Sequence, residues 1–157
     1  MHRDNRRHRA DLKAIARRAM IDRGLLPDFS DNVMAEVGRI KSHAVENDPK
    51  IRDLRGLLWA SIDNDDSEDL DQLTVAETLS GGSVKILVAI ADVDAIVKKE
   101  TAIDGHANYN TTSVYTAAQI FSMLPETLST DLTSLRQGEE RLAIIVESVI
   151  GEECSIA

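Results

Sequence analysis

Aromatic side chains make up only 3% of the 157 residues, and Trp59, Tyr109, Tyr115, Phe29 and Phe121 are all of them. A core built from this chain is therefore aliphatic. Cysteine is scarcer still, since Cys154 stands alone. That excludes an internal disulfide and a thiolate zinc site, and it suits a reducing, cytoplasmic compartment. No apolar run approaches the roughly 18–20 residues that cross a bilayer, so no membrane partner is expected. The stretch Met1–Arg9 is too polar for a secretory leader. Basic residues are outnumbered as well, with 18 Lys and Arg against 27 Asp and Glu for a net charge of −9. Taken alone, that balance argues against binding a phosphate backbone.

What is present suits a folded globular protein: 43% of residues are hydrophobic and 29% charged. The charge is unevenly spread. Residues 1–25 hold eight basic side chains against three acidic, whereas residues 51–157 hold seven against 19. Two parts with different jobs follow from this asymmetry. Leu12, Ile15, Ala16, Ala19 and Met20 keep the spacing of one buried helical face, and Gly24 and Pro27 end that helix. Ser30 is placed to cap a second helix, with Phe29 and Met34 as a hydrophobic staple. Val33, Val37, Ile40 and Ala44 continue its buried stripe, and Asn47-Asp48-Pro49 closes it. The boundary falls there, giving a basic helical region over 1–50 and a second region over 51–157. Arg3, Arg6, Arg7, Arg9, Arg17 and Arg18 form a basic face that suits either solvent or an RNA backbone.

Beyond residue 50 the period becomes that of strands. Leu57–Ile62, Leu73–Leu79, Val84–Ala91 and Ala143–Ile150 read as strands, and Ser80-Gly81-Gly82-Ser83 as a turn. Val84–Ala91 is apolar at every position but Lys85, which predicts a central strand covered on both faces. Ile144, Ile145, Val146 and Val149 are expected to be buried. Short helices are expected over 95–99 and 101–110. The final residues, from Gly151 to Ala157, read as a turn entering a strand that does not complete. The fold class is α+β, a helical hairpin followed by a mixed, mainly antiparallel sheet with short helices.

Six of the nine residues from Asp63 to Asp71 are carboxylates, with no base among them. Crowding raises their pKa values unless a cation neutralises them, and hard divalent cations with oxygen ligands are the usual partner. An extended Asp69–Asp71 places two carboxylates on one face about 6.5–7 Å apart, where a returning Asp63 completes a site. A solvated acidic loop is the plain alternative. A calcium EF-hand fails, because counting from Asp63 the sixth loop position is Glu68 and the twelfth Thr74, where Gly and Glu are needed. The cluster follows one predicted strand and enters another, so a sheet would hold the ligands. Carboxylate-held magnesium is suited to cleaving phosphodiesters.

Asp53-Leu54-Arg55, Ile62-Asp63 and Glu68-Asp69-Leu70-Asp71 together resemble the opening of the RNB domain of the ribonuclease II / ribonuclease R exoribonucleases. Val88-Ala89-Ile90-Ala91-Asp92-Val93, Thr112-Ser113-Val114-Tyr115, Met123-Leu124-Pro125-Glu126, Ser134-Leu135 and Arg141-Leu142-Ala143 continue the likeness in order. It covers residues 53–150. The resemblance implies 3′-to-5′ hydrolysis of single-stranded RNA to nucleoside 5′-monophosphates with magnesium, or manganese in its place. By position, Asp63, Asp69 and Asp71 would be the metal-binding and catalytic carboxylates, and Tyr115 would stack on a nucleotide near the 3′ end. Asp92 is expected to cap a turn, Asp53 and Arg55 to pair locally, and His106 to lie on the surface.

The departures are specific. Gln72 stands where the family has the last Asp of an Asp-Asp pair, a weakened metal position. Ala89 replaces a His, Asn110 a basic residue and Thr133 a Cys. A complete RNB domain is longer than residues 51–157, and its second half and the flanking OB-fold RNA-binding domains lie outside this sequence. Three readings follow: an incomplete exoribonuclease catalytic domain, a catalytically inactive RNB-derived module that binds RNA or a partner, and a cation-binding regulatory domain. The ordered motif blocks oppose the last. Oligomeric state has no signature here.

Overall fold

The computed structural model describes residues 2–46, 48–153 and 155, with side chains from residue 11 onward. The basic side chains at Arg3, Arg6, Arg7 and Arg9, as well as Asn47, Cys154, Ile156 and Ala157, lie outside that description. The fold is α+β and divides into two compact units.

The first unit combines residues 1–41 with 97–126. It holds α1 (His2–Asp22), α2 (Asp31–Val37), α3 (Ala102–Asn110) and a short ribbon of β1 (Val114–Tyr115) and β2 (Ile120–Phe121). Ser30 caps α2 as expected, its Oγ accepting from Val33 N–H at 3.4 Å. The stripe on α1 is another matter. Met20 is buried, but Leu12 and Ile15 are half or more exposed, so the helical period there does not mark a covered face. The second helix also stops early, at Val37, and residues 40–46 carry no regular structure. Met34 is half exposed, and the ring of Phe29 lies on the imidazole of His106, centroids 4.5 Å apart. Thr101 caps α3, while the Glu36 carboxylate accepts from Ala102 and Ile103 N–H at 2.9 and 3.0 Å. That carboxylate satisfies two of the donors a helix leaves open at its start. It ties α2 to α3, which is why α2 shares a unit with residues far along the chain.

The second unit combines residues 42–96 with 127–157. Its centre is an antiparallel sheet in the order β3 (Gln72–Thr78), β4 (Val84–Ala91), β5 (Ala143–Ile150). A tight turn over Ser80–Gly82 joins β3 to β4, and Gly81 and Gly82 both sit at φ +76°, a left-handed conformation that costs other residues a Cβ clash. Strand β4 is central, but the expected double cover is absent. Leu87 and Ala89 are buried, whereas Ile90, Ile144 and Val146, which share the opposite face, are 43–55% exposed. Burial of Ile144 and Val146 was therefore wrongly expected, because their alternation aims them at the uncovered face. Residues 57–62 form no strand either. They meet β3 at a single bridge, Ala60 to Thr74, and Leu58 and Ile62 are about 90% exposed. A short 3-10 turn over Val93–Ala95 replaces the helix expected at 95–99. Arg141, its side chain 6% exposed, donates to the carbonyls of Asp131 and Glu140 and so pins the turn over Thr127–Leu132 to the start of β5.

Candidate active site

The acidic run enters β3 from its N-terminal end. The Asp71 carbonyl accepts from Ala91 N–H at 2.9 Å, so the ladder extends one residue before Gln72. Strand alternation then puts Asp71 on the face of Leu73, which pairs with buried Ala89, and Gln72 on the opposite face, paired with Ile90. Gln72 and Asp71 are thus aimed apart. The Asp71 carboxyl is pushed above its ordinary value, first by loss of water around it and then by the negative charges of Asp69 and Asp63. The residue as a whole is exposed, so its carboxyl is only partly shielded from water.

Asp63 and Asp69 are therefore within electrostatic reach of Asp71, although they stand eight and two positions before it in sequence. Asp63 accepts from Ser67 Oγ at 3.1 Å across a turn closed by Ser67 N–H on the Asn64 carbonyl. Ser134 holds the other end of the run. Fully buried, its Oγ donates to the Glu68 carbonyl at 2.7 Å and accepts from Leu70 N–H at 3.1 Å. Leu135 N–H adds a bond to the Leu70 carbonyl at 2.9 Å. Every backbone group so engaged flanks Asp69. In the sequence Ser134 showed only as one member of a motif block; its contacts with residues 64–66 positions away carry no local signal.

A divalent cation fits this donor set by chemistry, since all the candidate ligands are carboxylate oxygens and mutual repulsion is what a cation relieves. Among the described residues, no three His, Cys, Asp or Glu side chains already stand in ligand geometry. Around the run, Asp53 accepts from Arg55, which also reaches Glu140. The Arg55 hydrogen bonds hold the Asp53 carboxyl far below the usual range. Asp92 caps the turn after β4, accepting from Ala95 N–H at 3.2 Å. Both pairings are local and structural.

Tyr115 belongs to the first unit, on β1 opposite Ile120, and is 65% exposed. His106 corrects its surface assignment: it is 6% exposed under Phe29. Asn110, which replaces a basic residue, is 2% exposed and bonds the backbone of Leu26 in both directions. Its role is to hold a loop.

Compared with known proteins, residues 51–157 match the profile of the RNB domain. The chain belongs to the RNB family. Ribonuclease R of Vibrio cholerae is 40% identical over 100 residues, 64% of this chain and 12% of that protein. An Arabidopsis thaliana protein named inactive exonuclease DIS3L2 is 38% identical over 120 residues, 76% of this chain and 11% of its own length. Among solved structures, Mycoplasma genitalium RNase R in complex with double-stranded RNA superposes with a TM-score of 0.80 at 27% identity, over 94% of this chain and 26% of that one. The match spans 12% and 11% of the length of these two relatives, and 17% of ribonuclease R from Mycoplasmopsis pulmonis. RNA-degrading exonucleases are its relatives, and no helix among the described residues is long and apolar enough to cross a membrane.

Proposed function

We propose that this chain supplies the carboxylate part of a magnesium-dependent exoribonuclease site, which shortens single-stranded RNA from its 3′ end and releases nucleoside 5′-monophosphates. The observation that carries this reading is that Asp71 loses water where it enters β3 and also feels the charges of Asp69 and Asp63, both of which push its carboxyl up. These three side chains would hold the metal, and manganese offers the same hard-cation chemistry. A hard divalent cation held there would supply the means to orient and acidify a water and to stabilise the leaving oxygen. Ser134 fixes the backbone on both sides of Asp69, which limits how far that ligand can drift. Tyr115 would stack on a base near the 3′ end, a contact worth about 1–3 kcal/mol. Such chemistry belongs in the cytoplasm, in keeping with the single cysteine.

Magnesium titration of the 157-residue chain by calorimetry tests the metal site. Binding is expected in the wild type and a loss of roughly tenfold or more in Asp63→Ala, by removal of one charged ligand. Absence of binding, or equal binding to Asp63→Ala, overturns the assignment. The chain alone is expected to hydrolyse single-stranded RNA slowly at best, because the relatives carry far more polypeptide. Robust release of mononucleotides that Asp71→Asn abolishes would show that the site is already complete.

Gln72 favours a second reading, a catalytically inactive module that binds RNA or a protein partner. It removes one negative charge from the run, and a relative of similar identity is itself named inactive. If Gln72→Asp gains neither magnesium affinity nor hydrolysis, the loss of that charge is not what limits the site, and this reading loses its support.

A further inference from the structure

The first unit carries a cleft that the carboxylate run does not use. It lies between the segment leading into α2 and the face of α3, has a volume of about 360 Å³, and is lined in part by Asp28, Phe29, Gly105, His106 and Tyr109. Hydrogen bonding decides what His106 offers there. Leu26 N–H donates to Asn110 Oδ1, and Asn110 Nδ2 donates to the Leu26 carbonyl, both at 2.9 Å. Only one orientation of the amide satisfies both bonds. The second hydrogen of Nδ2 then serves His106 Nε2, 3.2 Å away. With Nε2 accepting, the ring proton resides on Nδ1.

That Nδ1–H has no partner among the described residues, yet it is not sealed from solvent. It is a polar donor on a side chain 6% exposed, in the wall of an open cleft. Burial also lowers the imidazole pKa, so the neutral form prevails at neutral pH. Phe29 packs against the ring and fixes it. Tyr109, 57% exposed, adds a phenol ring to the same cleft in a chain with few aromatics. Asp28 supplies an acceptor, kept ionised by its hydrogen bonds from Arg17. The cleft thus combines a fixed donor, a charged acceptor and an exposed aromatic face.

We propose that this cleft binds a single unstacked nucleobase, stacked on Tyr109, with a base acceptor on His106 Nδ1–H and a base N–H on the Asp28 carboxylate. The proposal rests on the functional reading above only in taking RNA as the source of the base. Base–aromatic stacking tolerates any base, and the polar pair adds an edge contact. Gly105 offers a way to close the site: a Cβ there meets nothing within 4 Å. Leucine at that position would enter the cleft with no backbone strain.

The test is NMR titration of the chain with each nucleoside 5′-monophosphate, observing the His106 ring and Tyr109 ring signals, with ribose 5-phosphate as the control. At least one monophosphate is expected to shift both residues, and ribose 5-phosphate neither. Gly105→Leu and Tyr109→Ala are expected to weaken that affinity by about fivefold or more, the fold-change equivalent to the low end of base stacking. No shift at His106 with any of the four, equal shifts with ribose 5-phosphate, or undiminished affinity in Gly105→Leu overturns the proposal. Magnesium titration of the same samples separates the two sites. Lost base binding with intact magnesium binding removes the cleft alone, while the reverse removes the metal site and leaves the cleft standing.

Discussion

A single buried hydroxyl, that of Ser134, spans two backbone groups on either side of Asp69. Ser134→Ala leaves the Glu68 carbonyl and the Leu70 N–H without their partner, and an unsatisfied buried group costs about 1–3 kcal/mol. Urea unfolding should therefore show a loss of that order, and hydrogen exchange at Leu70 should quicken. Asp71 carries the opposite sign. Its folded pKa lies above that of an ordinary aspartate, so the folded state holds its proton more tightly than the unfolded chain does. Stability from this group is present at low pH and lost as pH rises through the folded pKa. In magnesium-free buffer, Asp71→Asn should be more stable than wild type at pH 7, and the difference should vanish below the unfolded pKa. Added magnesium should stabilise the wild type and narrow the gap, since ligands that bind only the folded state stabilise it. Thermal unfolding at two pH values, with and without the metal, checks all three expectations.

Among the elements, α3 shows how local and distant forces share the work. Thr101 caps it from its own segment, whereas Glu36 caps it from α2, across more than sixty residues. The glycine in the middle of the helix weakens it. Because space is open around Gly105, Gly105→Ala should raise stability by about 0.5–1 kcal/mol, the propensity difference between the two residues. A higher melting temperature measures it. The boundaries of α3, β4 and β5 were legible because caps, apolar runs and the turn residues that end them are local properties. The strand expected at 57–62 was not there. Hydrophobic alternation says which residues suit a sheet, but hydrogen bonding needs an available edge, and β3 offers residue 60 one bridge only.

At the scale of the molecule, the sequence boundary near residue 50 and the structural division differ. The compact units are discontinuous, 1–41 with 97–126 and 42–96 with 127–157. Residues 51–157, the part that matches the RNB profile, therefore include α3 without its α2 cap. Removal of residues 1–50 should leave the β3–β4–β5 sheet folded but loosen α3. Hydrogen exchange is expected to show lost protection over 102–110 with protection kept in β4. Uniform protection would mean that α3 stands without Glu36.

Composition, alternation and motif order by themselves determined the α+β class, the family, the turn at Gly81 and Gly82, and the carboxylates worth watching. These are properties of neighbours in sequence. Folding alone decided that Asp71 loses water and feels the charge of Asp63, that Ser134 clamps the run, that Gln72 faces away from Asp71, and that His106 and Asn110 are buried together. Each depends on residues brought together from distant parts of the chain, or on which face of a sheet is covered. No local period encodes that, because burial and desolvation are set by what packs on a residue, not by what stands beside it in the chain.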